Sequence, residues 1–317
     1  MLWVLCALVL AAAIVPWVYQ AGKSVAEMIL ASDAHGALEE FAKSSQRAKF
    51  GRYYSRSLIF SAVVLMPFLY WRIQRIRQAT GYVKEPGAPL CWKVALSQGL
   101  IAFGIAAGLL WGTGMALEMT GAYVLDPDPP SLAKFVKKIV IPALAVPLVE
   151  EWLIRGVLLG LWLRLAKPFA ACLGTSLFFA FIHFLDPPAG SVILNPTSPL
   201  AGFELLGKIL LHLTEPQFIV TDFVTLLAIG LVLAWARLRT GALWFSIGLH
   251  AGWIFAFKGF NYIHQSVPEH PLRPWGVGES LRSGLVPLLT LALTALLCHF
   301  VMRAFEQGGR PVSRASR

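Results

Sequence analysis

The chain has 317 residues, of which 57% are hydrophobic and only 14% are charged, and its mean hydropathy is +0.65. Soluble domains carry about 25% charged residues, so this composition excludes an ordinary soluble domain and predicts a membrane protein. The net charge of +10 is spread through the loops without a basic, aromatic-rich domain. We therefore expect contact with anionic lipid and no nucleic-acid partner.

Apolar runs of spanning length predict an all-α fold, a polytopic membrane bundle of about eight transmembrane helices. The runs lie near residues 2–19, 57–71, 95–118, 139–163, 168–185, 218–236, 241–257 and 284–302. The first run is either an uncleaved membrane helix or a secretory signal. Because no Lys or Arg precedes its apolar part, the uncleaved helix is favoured.

Polar and proline-rich segments connect these spans. Residues 20–56 have mixed charge and predict an interfacial helix. Residues 119–138 combine an acidic, proline-rich turn with Lys134, Lys137 and Lys138, which we interpret as an interfacial anchor for the span that follows.

Two adjacent glutamates, Glu150 and Glu151, interrupt the fourth apolar run. A carboxylate at bilayer depth costs several kcal/mol, so both must face protein, water, metal or substrate. Glu151 and Arg155 have i, i+4 spacing and are expected to pair on one face of a helix. Glu150 points about 100° away from that face. A structural ion pair therefore explains Glu151 and Arg155 but leaves Glu150 as a candidate functional group.

Two histidines also lie inside apolar runs. His183 ends the segment FAFIH, which begins at Phe179, and His250 lies between Gly248 and Gly252. Taken alone, each histidine is better explained by a hydrogen bond between helices than by a functional role. The small residues beside His250 allow a neighbouring helix or a peptide backbone to approach closely.

Glu150, His183 and His250 fall within the fourth, fifth and seventh spans, so helices crossing one bilayer can bring them together. One glutamate and two histidines can activate water as ligands of a divalent metal such as Zn²⁺. They can also do so without metal, with the carboxylate as general base and the histidines stabilising developing charge. The chain has no H-E-x-x-H or G-x-S-x-G motif, and its spans have no paired aspartates.

Three motifs in order, E-E-x-x-x-R from Glu150, F-x-x-x-H from Phe179 and the histidine His250, resemble those of a family of intramembrane proteases. This is the CAAX prenyl endopeptidase and bacteriocin-processing (CPBP, or Abi) family. The resemblance covers about residues 139–257 and includes the segment GLVLAWARLRTGALWFSIGLHAGW.

The resemblance implies a role for each matching residue. Glu150 is expected to activate water with His183 as its partner, and His250 to stabilise the tetrahedral oxyanion. Glu151 and Arg155 are expected to support the site, and Phe179 to pack against it. If a metal is present, its ligands would be Glu150, His183 and His250; the family has been described both as metal-dependent and as metal-free.

The chain departs from the family pattern at Ile254, where the third motif usually ends in Asn. An oxyanion donor is therefore missing, unless the Trp253 indole or the Ser246 hydroxyl replaces it. This departure supports a second interpretation, a non-proteolytic binding or immunity protein with the same fold. A transporter that relays protons through Glu150 and His183 is a third, disfavoured because the chain lacks two inverted repeats.

Four regions and one activity follow as expectations. The chain is predicted to be an intramembrane endopeptidase that cleaves a membrane-associated peptide or protein, a multi-pass protein of a bacterial cell membrane. The expected regions are 1–56 (N-terminal membrane segment and connector), 57–138 (two spans and the anchor), 139–257 (catalytic core) and 258–317 (loop, last span and basic tail).

Overall fold

The computed structural model describes residues 2–32, 35–79, 91–127, 131–185, 187–188, 190–216, 219–273, 275–278 and 280–308. Its regular structure is almost entirely helical. The α-helices are α1 (Leu2–Ala31), α2 (Ala37–Arg47), α3 (Phe50–Val64), α4 (Met66–Ala79), α5 (Trp92–Met119), α6 (Leu132–Phe135), α7 (Ile141–Glu151), α8 (Leu159–Leu165), α9 (Pro168–Ile182), α10 (Ala201–His212), α11 (Val224–Thr240), α12 (Trp244–Ile263) and α13 (Leu285–Gly308). Three π-helical segments are π1 (Val136–Val140), π2 (Trp152–Leu158) and π3 (Ile219–Phe223), and the strands are β1 (Tyr123–Leu125) and β2 (His264–Ser266).

The helical class agrees with an all-α membrane protein, but eight spans are not confirmed. Within the described residues, three helices are long and apolar enough to cross a bilayer: Leu2–Ala31, Trp92–Met119 and Leu285–Arg303. A fourth span results if Phe50–Val64 and Met66–Ile76 count as one, although they meet at a bend of 44°. The run predicted at 57–71 is thus a bent pair of helices.

The chain divides into two compact units, each assembled from separate stretches of sequence. One unit comprises residues 1–83 and 183–215, and the other comprises residues 84–182 and 216–317. The four consecutive regions expected from the sequence therefore stay a prediction.

In the first unit, α1 packs against α2, α3 and α10. Its buried alanines and Val15 face aromatic side chains of α3, including Tyr53 and Tyr54. Gly202 lies so close to α1 that an added Cβ would come 1.9 Å from the Ala12 carbonyl oxygen. The segment 20–56, expected to hold one interfacial helix, holds the end of α1, all of α2 and the start of α3.

The second unit is organised by the contact between α5 and α12, the most extensive helix pair in the described structure. Glycines make this contact close. A Cβ added at Gly248 would lie 2.2 Å from the Gly99 carbonyl oxygen, and one added at Gly252 would lie 2.5 Å from the Phe103 carbonyl oxygen. The small residues beside His250 therefore serve the approach of a neighbouring helix.

Residues 132–165 form one uninterrupted helical run, which we call the Glu150 helix. It consists of α6, π1, α7, π2 and α8. Its buried side carries Ile139, Ala143, Pro147 and Glu151, and this side packs against α12. The packing places the carboxylates of the run directly beside His250.

A short antiparallel ribbon of β1 and β2 departs from the purely helical prediction. Tyr123 pairs with Ser266 and Leu125 with His264. Because β1 follows α5 and β2 follows α12, the ribbon links the C-terminal ends of the two helices that the glycines bring together.

The close contact between α5 and α12 predicts that Gly248→Ala destabilises the protein. The new methyl group would clash with backbone, which has no side-chain rotamer with which to relax, so a loss of about 1–3 kcal/mol is expected. Gly108→Ala in α5 is the matched control because a Cβ there has open space, and alanine favours helix by about 1 kcal/mol. Thermal unfolding in detergent measures both variants; equal melting temperatures would contradict the close packing.

Candidate active site

The sequence-predicted carboxylates lie at the junction of α7 and π2. Glu150 and Glu151 end α7, and Arg155 lies in the middle of π2. A π-helical turn has i→i+5 hydrogen bonds in place of i→i+4 and often marks functional sites. Here it widens the helix immediately after the two glutamates.

Glu151 and Arg155 form the expected ion pair. Arg155 Nη1 donates to Glu151 Oε1 at 2.9 Å, and the side chains of Arg155 and Glu151 are 1% and 0% exposed. Because a buried charge without a partner is strongly unfavourable, each group depends on the other. Arg155 also donates from Nη2 to the Gly230 carbonyl oxygen at 3.2 Å, so it links the Glu150 helix to α11.

Gly230 is a member of the site that the sequence did not single out. An added Cβ would lie 2.8 Å from Ser176 Cβ, so the glycine lets α11 approach α9 closely. In the sequence, Gly230 is recognisable only as a glycine within an apolar run. Because the chain has several such glycines, this pattern does not single out Gly230.

His250 completes the cluster from α12. Its Nδ1 lies 2.9 Å from Glu151 Oε1, the same oxygen that accepts from Arg155. The ionised carboxylate is an acceptor, so Nδ1 carries the proton and donates it. This hydrogen bond fixes the orientation of the ring and leaves Nε2 facing the other glutamate.

Glu150 lies on the opposite side of that ring. Its Oε2 is 3.8 Å from His250 Nε2, and its side chain is 30% exposed, whereas Glu151 is fully buried. The separation exceeds a direct hydrogen bond. The two neighbouring glutamates thus differ: the Glu151 side chain is fully buried, whereas the Glu150 side chain is partly exposed, although its Oε2 atom is itself buried.

Phe179 of α9 packs against both Arg155 and His250. The Arg155 guanidinium carbon lies 4.3 Å from the centre of its ring. Its ring also meets the His250 ring edge to face, with centroids 5.9 Å apart. The expected packing position of Phe179 agrees with these contacts, which stabilise a guanidinium over an aromatic face.

His183 follows the last residue of α9, is half-buried, and belongs to the other compact unit. Its predicted partnership with Glu150 and His250 stays a prediction.

The two candidate substitutes for the missing Asn are both buried. Trp253 is 6% exposed and packs in the core between α5 and α12. Ser246 is fully buried, and its hydroxyl donates to the Leu243 carbonyl oxygen at 2.9 Å. The Ser246 hydroxyl is therefore engaged within its own helix, and Ile254 is half-buried on the same helix.

A metal centre does not fit the described side chains. No group of three or more His, Cys, Asp or Glu in the described part of the chain is placed to hold a metal ion. Glu150 and His250 supply two neighbouring donors, whereas a catalytic zinc takes three protein ligands. Binding of a metal by Glu150, His183 and His250 stays a prediction.

Comparison with known proteins agrees with this geometry. Residues 132–256 match the family model of the type II CAAX prenyl endopeptidase Rce1-like proteins. The match supports the resemblance of this part of the chain to the CPBP family. The match begins with the Glu150 helix and ends in α12, so it contains Glu150, Glu151, Arg155, Phe179 and His250. No significant match is found among curated proteins or among solved structures.

The buried ion pair predicts that Arg155→Ala lowers stability by about 3–5 kcal/mol, because it leaves the Glu151 charge buried and unpaired. Lys43→Ala is the matched control: Lys43 pairs with Glu39 at the same i, i+4 spacing, but this pair lies at the surface, with side chains 52% and 33% exposed. Exposed pairs of this kind contribute only about 0.3–0.5 kcal/mol. Thermal unfolding of purified protein compares them. An Arg155→Ala protein that melts like wild type yet has lost turnover would make Arg155 a participant in chemistry instead.

Proposed function

We propose that the chain is an intramembrane endopeptidase that hydrolyses a peptide bond of a membrane-associated substrate. The observation that carries the proposal is the partly exposed Glu150 side chain, whose Oε2 lies 3.8 Å from the Nε2 of a histidine whose orientation is fixed by Glu151. The resemblance of residues 132–256 to the CPBP family supports the same conclusion.

Glu150 is proposed to act as the general base. A water molecule beside the gap between Glu150 Oε2 and His250 Nε2 reaches both atoms at about 2.8 Å, a normal hydrogen-bond length. The carboxylate takes a proton from this water while its oxygen attacks the scissile carbonyl carbon. Glu150 then gives the proton to the leaving nitrogen, so one group serves both steps.

His250 is proposed to stabilise the oxyanion of the tetrahedral intermediate. With Nδ1–H donating to Glu151, a protonated ring has its Nε2–H directed to the Glu150 side, where the substrate carbonyl would lie. Fixed donors directed at developing charge are effective because they need no reorganisation during the reaction. His183 is proposed to hold the attacking water, following the family resemblance.

Glu151 and Arg155 are proposed as positioning residues. Arg155 neutralises Glu151 in the interior, and the shared Oε1 holds the His250 ring. The two roles explain why the motif has two adjacent glutamates: Glu151 must be buried and paired, and Glu150 must reach water.

The proposed site lies near the middle of the bilayer. Glu150 follows Lys138 by twelve residues and precedes Arg164 by fourteen. At 1.5 Å per residue these intervals are roughly 18 and 21 Å. Each is close to half the thickness of a membrane, which is about 40 Å including its headgroups. With the Glu150 helix and the shorter apolar helices counted as crossing, we retain the proposal of about eight spans.

The second candidate function is a non-proteolytic binding or immunity protein, and Ile254 is the observation that favours it. A half-buried isoleucine supplies no donor where the family usually has Asn.

The assignment of Glu150 as general base predicts that Glu150→Gln abolishes peptide cleavage while preserving fold and substrate binding. The amide keeps the shape but accepts no proton, and general base catalysis contributes about 10²–10⁴-fold. The assay is cleavage of a membrane-peptide library by reconstituted protein, with binding of a non-cleaved hit measured separately. Glu204→Gln, which changes an exposed glutamate of α10, is the control. Turnover within twofold of wild type in Glu150→Gln would remove Glu150 from the mechanism.

The departure at Ile254 predicts that Ile254→Asn raises the cleavage rate, by up to about 10²–10³-fold, the usual contribution of one oxyanion donor. An unchanged rate would mean that another donor already fills this role. If neither the wild type nor Ile254→Asn cleaves any peptide of the library, the binding or immunity function is the better interpretation.

A further inference from the structure

Three lysines at the start of the Glu150 helix take no part in the proposed chemistry. Lys134 lies in α6, and Lys137 and Lys138 lie in π1. All three side chains are exposed. Ser131 caps the helix by accepting a hydrogen bond from the Lys134 backbone N–H, so the backbone that presents the lysines is ordered independently of their charges.

The two sides of this segment differ in character. Phe135 meets Phe255 of α12, and Ile139 is buried against the same helix beside Gly259. The three lysines of this segment are exposed, and so are the apolar side chains of Leu132 and Val136. Positive charge beside exposed apolar side chains is the pattern of a surface that lies at the boundary between headgroups and acyl chains.

Lys138 shows how such a surface is arranged. Its Nζ lies 5.3 Å from the centre of the Tyr262 ring, at the end of α12. Tyrosine is enriched at membrane interfaces, where its ring is apolar and its hydroxyl reaches water. Lys258, one helical turn before Tyr262, adds positive charge to the same end of α12.

Within the described residues, no ion pair neutralises these three lysines. Among the described acidic groups that precede the lysines, Glu118 has its carboxylate 3.2 Å from His264 Nε2, and Asp126 is half-buried. Asp128 lies outside the described residues. By contrast, the exposed Lys43 and Lys208 are each paired with a glutamate on the same helix. The charge at the start of the Glu150 helix is thus available to an external anion.

We propose that Lys134, Lys137 and Lys138, with Tyr262, form a binding surface for anionic phospholipid headgroups, and that this contact sets the depth of Glu150 in the bilayer. Charge complementarity selects the anionic lipid, and the helix transmits the position because Lys138 and Glu150 belong to one continuous helical run. The proposal requires only that the protein resides in a membrane, so it does not depend on peptide cleavage.

The test compares full-length protein with two triple variants of equal charge. Lys134→Gln/Lys137→Gln/Lys138→Gln removes the surface, and Lys43→Gln/Lys93→Gln/Lys208→Gln removes three lysines elsewhere. Each purified protein is titrated with phosphatidylglycerol and with phosphatidylcholine, and bound lipid is counted by native mass spectrometry. A lysine near an anionic surface contributes about a fivefold preference. We expect wild type and the second variant to prefer phosphatidylglycerol by tenfold or more, and the first variant to bind both lipids equally.

Hydrogen exchange in nanodiscs locates the contact. Protection of residues 131–140 is expected to rise when phosphatidylglycerol is added to phosphatidylcholine, and to fall again at 1 M salt, where charges are screened beyond about 3 Å. If the Lys134→Gln/Lys137→Gln/Lys138→Gln variant does not fold, the Lys134→Arg/Lys137→Arg/Lys138→Arg variant is tested in its place. Because it keeps the positive charges, we expect it to retain the wild-type preference for phosphatidylglycerol. Equal loss of preference in both Gln variants, no preference in wild type, or displacement of the lipid by millimolar inorganic phosphate would each overturn the proposal.

Discussion

The arrangement of the site depends on one buried oxygen, Glu151 Oε1. It accepts from Arg155 and from His250 at 2.9 Å each, so a single carboxylate joins the Glu150 helix to α12. Through Arg155 it also reaches the Gly230 carbonyl of α11. In a membrane, where an unpaired charge is costly, these contacts are mutually dependent. The reactive geometry of Glu150 and His250 is a consequence of this structural cluster.

Helix packing determines whether that cluster can form. His250 reaches Glu151 only because α12 lies against the Glu150 helix on one side and against α5 on the other. Gly248 and Gly252 flank the histidine and remove the side chains that would hold α5 away. The glycine spacing that the sequence offers as an opening for a neighbouring helix or a peptide backbone is used for a helix pair.

Local features of this fold were predictable from the sequence, and features that depend on tertiary contacts were not. The pairing of Glu151 with Arg155 follows from their i, i+4 spacing, and the bounds of α5 lie close to the predicted run at 95–118. The bond between Glu151 and His250 joins residues 99 positions apart, and hydropathy carries no information on it. The π-helical turn after Glu151 likewise leaves no pattern in the sequence, and His183 stays a predicted partner.

We infer that the two adjacent glutamates have separate tasks, Glu151 in structure and Glu150 in chemistry. Thermal unfolding of Glu150→Gln and Glu151→Gln, measured side by side in one detergent, tests it most directly. We expect a large drop in melting temperature for Glu151→Gln, which leaves Arg155 buried without an anionic partner, and little change for Glu150→Gln, whose side chain is 30% exposed. Equal melting temperatures, or a larger drop for Glu150→Gln, would contradict it.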